Sequence, residues 1–246
     1  MSAVKVFALL LISVFVVHAQ TPEIIKFECS PEDIDAFGLN CTDDVPCQVF
    51  VEFSSAEAVG NKIFLAGNLH TSNATLFSVL LASEDGGLSW SEPTPRQRNV
   101  AFEQVLFFDG DTGWISGQSI DPLPRNQFVM LSTDGGKTWR QKFLFEDPKF
   151  GAITQMRFDS RTSGELVLDA SQGRNIRQEL YGTMTGGESW EVKQTSNKQL
   201  ALKSRTTPAT LRVRSDAKSD THLLERSTAK GWDLITTFPV RVAECK

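Results

Sequence analysis

Ser83-Glu84-Asp85-Gly86-Gly87-Leu88-Ser89-Trp90, Ser132-Thr133-Asp134-Gly135-Gly136-Lys137-Thr138-Trp139 and Thr183-Met184-Thr185-Gly186-Gly187-Glu188-Ser189-Trp190 are three copies of one phrase. Their tryptophans stand 49 and 51 residues apart. A fixed period of this size marks a repeat architecture, in which each copy is one structural unit stacked against the next.

The likeness extends upstream of the phrase. Phe108-Asp109 and Gly113-Trp114-Ile115-Ser116 align with Phe158-Asp159 and Gly164-Glu165-Leu166-Val167, each of those glycines 19 residues before its box. Gly60-Asn61-Lys62-Ile63-Phe64-Leu65-Ala66-Gly67 takes the same role in the first repeat, and Ser227-Thr228-Ala229-Lys230-Gly231-Trp232 closes an eroded fourth copy without the acid. One repeat parses into short β-rich runs: Gln104 to Phe108, Trp114 to Gly117, Phe128 to Ser132 and Thr138 to Phe143. The matching first runs are Gln48 to Phe53, Ile153 to Phe158 and Gln199 to Lys203.

Four antiparallel runs per repeat make one propeller blade. The expectation is therefore an all-β fold over residues 48–246, a β-propeller of about four four-stranded blades. The apolar segments Ile24 to Phe27 and Val240 to Val242 are available to complete a blade or begin a fifth.

Turn chemistry explains the repeated phrase. A Ser or Thr hydroxyl and an Asp carboxylate bond backbone N–H groups inside a tight turn, and glycine adopts angles that other residues resist. Ser83, Asp85, Gly87 and Trp90, then Ser132, Asp134, Gly136 and Trp139, fill these roles, with tryptophan expected to bury its indole against the neighbouring blade. Thr183, Gly187 and Trp190 keep them although Thr185 replaces the acid. Replaceability argues that the acid is a turn stabiliser and neither a metal ligand nor a reactant.

The pattern S/T-x-D-x-G-x-S/T-W resembles the Asp-box of BNR repeats, found in sialidases and other propellers. The Gly113-Trp114-Ile115-Ser116-Gly117 strand followed by the Asp134 to Trp139 box is similar to BNR-type propellers of the photosystem II assembly-factor kind. That resemblance implies a scaffold that binds other proteins without catalysis. The sialidase resemblance is more distant and implies glycan binding or cleavage.

The ends of the chain carry different information. Lys5, the apolar run Val6 to Val17 and Val17-His18-Ala19 read as a signal peptide over residues 1–19, too short an apolar run to span a bilayer comfortably. Residues 20–47 form a Cys-rich segment in which Ser30-Pro31-Glu32-Asp33 has the chemistry of a helix start and Gly38 of its end. Export and four cysteines suggest two disulfides, for which three connectivities exist. Cys41 with Cys47 and Cys29 with Cys245 is preferred, because the second pair would tie the ends of a closed ring. The formal charge of −5 becomes −6 once Lys5 leaves with the signal, which argues against nucleic acid or anionic lipid as a partner.

Sialidase chemistry needs a carboxylate-gripping set of arginines, a Tyr–Glu nucleophile pair and an acid. Here Tyr181 is the single tyrosine, two residues before a box. His70 and His222 lie in different repeats without a ligand-spaced partner, and no phosphate-binding glycine loop is present, so no cofactor or metal is expected. Asn73-Ala74-Thr75 matches a glycosylation acceptor pattern, meaningful in a eukaryotic secretory route. The reading is a non-catalytic exported scaffold with a protein partner, the alternative being a carbohydrate-binding or sialidase-like glycosidase propeller. Alternation of strands puts the box turns on one rim and the loops joining second to third strands, with the blade linkers, on the other. That second rim gathers His70, Arg96, Arg98, Asp121, Arg125, Lys149, Arg174 and Arg177, with Glu92, Glu146, Asp147 and Asp169 among them. A local excess of positive charge there would suit an acidic partner.

Overall fold

The computed structural model describes residues 25–120, 126–147, 149–202 and 211–246; the signal segment 1–19, Ile24, Asp121, Arg125 and Lys203 lie outside the described residues. Antiparallel sheets form the blades of a four-bladed propeller. The first blade holds β1 (Cys47–Val59), β2 (Lys62–His70), β3 (Thr75–Ser83) and the short β4 (Gln97–Arg98). The second holds β5 (Val100–Phe107), β6 (Gly113–Ser119), β7 (Gln127–Ser132) and β8 (Arg140–Phe143). The third holds β9 (Ala152–Phe158), β10 (Gly164–Asp169), β11 (Gln178–Thr183) and β12 (Glu191–Ser196). The fourth holds β13 (Leu211–Asp216), β14 (Thr221–Thr228) and β15 (Gly231–Pro239), while β16 (Arg241–Cys245) crosses to β1.

The blades are therefore not uniformly four-stranded. The Val240 to Val242 region does not begin a fifth blade: β16 becomes a fifth strand of the first sheet, pairing Cys245 with Cys47 and Glu244 with Gln48. Gln199 to Leu202, the described part of the run expected to open the fourth blade, joins no ladder. Gln155 and Gln178 of the third blade bond the backbone of Leu200 and Leu202 as Gln104 and Gln127 of the second blade bond Ile153 and Gly151 at the start of the third, so these residues stand where the fourth blade begins.

Register also corrects the repeat alignment, in the second blade, where Phe107 and not Phe108 faces the glycine as Phe158 does, and in the first. Ile63 faces Ser83 as Gly113 faces Ser132 and Gly164 faces Thr183, so the counterpart of the two glycines is Ile63 and not Gly60. A Cβ on Gly113 or Gly164 would stand 2.5 Å from the ring of Phe107 or Phe158. The first blade inverts the pair, setting Ala58 opposite Ile63. Small against large fills the same space in either order.

Flat aromatic stacks join the blades: Phe64 on Phe107 at 3.7 Å and Trp114 on Phe158 at 3.6 Å, all four side chains fully buried. A polar clasp recurs beside them at one repeat position. Ser78 Oγ donates to Val100 O (2.9 Å), Gln127 Nε2 donates to Gly151 O (2.5 Å), and Gln178 Oε1 accepts from Leu200 N (2.8 Å). His222 occupies the equivalent place in the fourth blade and donates from Nε2 to Val51 O at 2.8 Å, closing the circuit onto the first.

The box turns make the bonds their residues suggest. Asp134 accepts from Lys137 N (3.1 Å), Thr138 N (2.9 Å) and Thr138 Oγ1 (2.6 Å), while Ser132 Oγ accepts from Gly136 N at 2.9 Å. Both glycines of that turn have positive φ, 74° and 84°, a region open to glycine. In the third turn Thr185 Oγ1 accepts from Ser189 N at 3.0 Å and meets Ser189 Oγ at 3.0 Å, retaining part of the set.

The tryptophans are anchored both in their own turns and in the cores. Each indole donates to a glycine carbonyl of its own turn, and Trp139 and Trp190 lie edge-on to Phe107 and Phe158 of their own blades. Trp90 lies edge-on to Phe238 of the fourth blade, and Trp139 and Trp190 pack against core clusters that also hold residues of the first and second blades respectively.

The N-terminal segment is fastened to the first blade. Ser30 and Asp33 form a reciprocal capping box on the short helix α1 (Pro31–Ala36). Disulfides join Cys29 to Cys245 and Cys41 to Cys47. Phe27 and Phe37 meet Phe77 edge-on, which brings the segment onto the outer part of that blade.

Candidate functional site

The rim opposite the box turns carries the β2–β3 and β10–β11 turns and the blade linkers, and most of its cations are already engaged. Arg96 bonds Glu92 at 2.5 and 2.8 Å, donates to Lys26 O at 2.7 Å and lies over Phe27. Arg98 pairs with the buried carboxylate of Asp33 between the rings of Phe37 and Phe77. These two arginines staple the N-terminal segment. Arg174 is exposed in the β10–β11 turn.

Lys149 and Arg177 converge on Glu179, at 3.3 and 2.7 Å. The Tyr181 hydroxyl donates to the same carboxylate at 2.6 Å. Burial pushes the Glu179 carboxyl up, but the bonds from Tyr181, Arg177 and Lys149 outweigh it and hold the group below the usual carboxylate range. Burial, then the bond to Glu179, pushes the Tyr181 phenol above its ordinary value.

A Tyr–Glu pair is thus present, as in a sialidase nucleophile, but with the wrong environment. Its side chains are buried against Phe145 and the blade core, and the phenol is held protonated. A nucleophile needs access and a lowered barrier to deprotonation. The pair supplies neither, and acts as a satisfied polar cluster inside the second-to-third blade packing.

His70 stands apart from these cations. Its Nδ1 lies 3.0 Å from Thr71 O, a carbonyl that can only accept, so Nδ1 donates this bond. The ring sits beside Phe50 at 5.8 Å. It lines a polar cleft of about 400 Å³ between the first and second blades, together with Glu52, Asn68, Ala101, Gln118, Ile120 and the turn Thr71 to Thr75.

Glu52 is the residue that reading the sequence missed. It pairs with Asn68 across β1–β2 as Ala101 pairs with Gln118 and Ala152 with Asp169, and each inner strand carries a bulge two residues further on. The repeat therefore places alanine at this position in the second and third blades and glutamate in the first. Aligning the inner strands would have exposed that departure, but the boxes lie too far along the chain to fix the register there.

Among the described residues no group of three or more His, Cys, Asp or Glu converges as a metal-binding set, and no helix is long and apolar enough to cross a membrane.

No family model matches the chain. It is 30% identical over 122 residues to the photosystem II assembly lipoprotein Ycf48 of Synechococcus sp. (strain CC9902), a match covering 46% of this chain and 30% of that protein. The chain thus spans under a third of that relative. Among solved structures, Ycf48 bound to D1 peptide superposes with a TM-score of 0.45 at 19% identity, covering 79% of this chain and 59% of that one. An α-L-arabinofuranosidase from Fusarium graminearum, in complex with an iminosugar inhibitor, gives 0.41 at 12% identity, covering 84% and 67%. The chain is a β-propeller resembling, over 122 residues, the photosystem II assembly factor.

Proposed function

We propose that this chain is a non-catalytic, exported propeller that binds other proteins and assists their assembly. The observation that carries the reading is the 30% identity over 122 residues with a relative whose name describes an assembly protein. Two features of the chain support it. The box aspartates are consumed by their own turns, and the Tyr181–Glu179 pair is closed to substrate. Disulfides at both ends of the described chain suit an oxidising compartment, in keeping with export.

The docking surface in this reading is the rim of the β2–β3 and β10–β11 turns, where loops vary while the blades hold them rigid. Chemical cross-linking of the tagged chain in cells of its source, followed by purification and mass spectrometry, tests it. One or more exported proteins should be retained in stoichiometric amount. Turnover of arabino- or sialo-oligosaccharides by the purified chain, with no protein retained, would replace the scaffold by a glycosidase.

A further inference from the structure

One cross-strand pair changes character in the fourth blade. Leu65–Leu81, Ile115–Met130 and Leu166–Tyr181 hold one repeat position in the first three blades, their second members three residues after Ser78, Gln127 and Gln178. All six side chains are buried, each pair in a core shared with the blade before it around the ring. Three residues after His222 the pair is Arg212–Glu225. The fold of a blade does not require these charges, because the other three do without them.

The charged pair belongs to an open face of the sheet. Trp232 and Leu234, paired with Ser227 and Glu225, are 37% and 48% exposed. Arg212 stacks its guanidinium on the Trp232 ring at 4.2 Å, and the side chains of Arg212 and Arg214 are 42% and 48% exposed. Both arginines bond the one carboxylate of this face, Glu225, at 2.8, 3.0 and 3.4 Å. Each guanidinium carries five N–H groups, so most stay unspent. The indole N–H of Trp232 is also unspent among the described residues, unlike those of the box turns. Asp233 pairs with Arg226 and lines the cleft on the other side of the strand, so this face holds two guanidinium groups against one carboxylate.

We propose that this face of the fourth blade is a second docking surface, for a partner segment that sets a carboxylate beside an apolar side chain. The proposal rests on the protein-binding reading above and adds to the rim a surface of stated chemistry. A carboxylate only accepts, so it meets both the unspent N–H groups and the excess positive charge. An apolar side chain covers Trp232 and Leu234, and tryptophan and arginine are residues in which interface energy concentrates. A basic segment would meet the excess charge as a like charge. A sugar would strip water from hydroxyls against the aliphatic Leu234 without replacing the bonds.

The probe is acetyl-Phe-Glu-Leu-amide, titrated into the disulfide-intact chain while the Trp232 indole N–H and Arg214 Nε–H signals are followed by NMR. The peptide should move both. Arg212→Gln, which keeps a donor for Glu225, should weaken binding about tenfold, the loss expected for one charged hydrogen bond. Trp232→Ala, read through Arg214, should weaken it at least as much. Thermal melting checks the fold of each variant, and if Trp232→Ala unsettles the blade, Arg212→Gln decides. Arg174→Gln, exposed in the third blade, should leave the titration unchanged.

Binding of the peptide that ignores Arg212→Gln would overturn the proposal. So would equal shifts from the glutamine or lysine counterpart of the peptide, or from trigalacturonate, which would make the face a site for acidic sugar. Partner retention separates the two readings. A protein cross-linked equally well before and after Arg212→Gln keeps the scaffold and removes this surface, whereas a chain that binds the acidic peptide but retains no protein loses the scaffold.

Discussion

At the scale of single residues, the box acids behave as turn stabilisers, and this has a pH signature. Asp85 and Asp134 are lowered from 3.8 to about 2, first by the hydroxyl of Ser89 or Thr138 and then by the backbone N–H of that same residue. A carboxyl whose folded value is depressed contributes stability that is present above its unfolded value and is lost as pH falls through the folded one. Melting temperature should therefore fall between about pH 4 and pH 2, and the fall should be shallower after Asp134→Thr, which copies Thr185. At neutral pH Asp134→Ala should cost about 1 kcal/mol, like a lost capping side chain, and Asp134→Thr less. Urea denaturation of the variants checks the order; equal loss for both would mean that Thr185 does not substitute for the acid. Trp139 is only half-buried, so Trp139→Ala should cost about 2 to 3 kcal/mol, under the value of a fully buried indole. These residues were legible in the sequence because the chemistry of a turn is local. Glu52 was not, since its meaning depends on which strand of the next blade stands beside it.

At the scale of elements, each blade is recognisable by its turns, but its strand interiors follow packing rules that no short window reveals. The Phe107–Gly113 and Phe158–Gly164 pairs became Ala58–Ile63 in the first blade, which moved the apparent repeat glycine by three positions along the sequence. Gly113→Ala tests the argument directly, because the new Cβ would stand 2.5 Å from the Phe107 ring. It should cost about 1 to 3 kcal/mol, the range for overpacking. At Gly110, where a Cβ would meet only the flexible end of Lys62 at 3.8 Å, the same substitution should be mild. Comparing the two by thermal melting decides the matter: equal losses would show that helical or turn propensity, and not the ring, sets the cost. The fourth blade was the least legible element. Gln199 to Leu202 has the composition of an inner strand and receives from Gln155 and Gln178 the bonds that Gln104 and Gln127 give the start of the third blade, but it joins no ladder among the described residues.

At the scale of the whole molecule, the question is what closes the ring between its last and first blades. Three devices meet there: the β16–β1 pairing, the Cys29–Cys245 disulfide and the His222 clasp on Val51. The pairing of the cysteines followed from the need to join two ends, whereas the clasp emerged only when the repeat position of Ser78, Gln127 and Gln178 was found to hold His222. Chain entropy ranks the two disulfides. Cys29 and Cys245 are separated by 216 residues and Cys41 and Cys47 by 6. The loop-closure relation gives roughly 5 kcal/mol for the long loop against roughly 2 for the short one. The His222 clasp ranks against both. Its loss in His222→Ala leaves a buried carbonyl unsatisfied, at a cost of about 1 to 3 kcal/mol, while His222→Gln installs the residue used at the same position in two other blades. The expected order of stability is therefore intact chain, His222→Gln, His222→Ala, then the Cys29→Ala/Cys245→Ala double variant, read by urea denaturation at neutral pH. If the double variant unfolded no earlier than the Cys41→Ala/Cys47→Ala pair, closure would rest on strand pairing and blade packing, and the covalent tie would be dispensable to the ring.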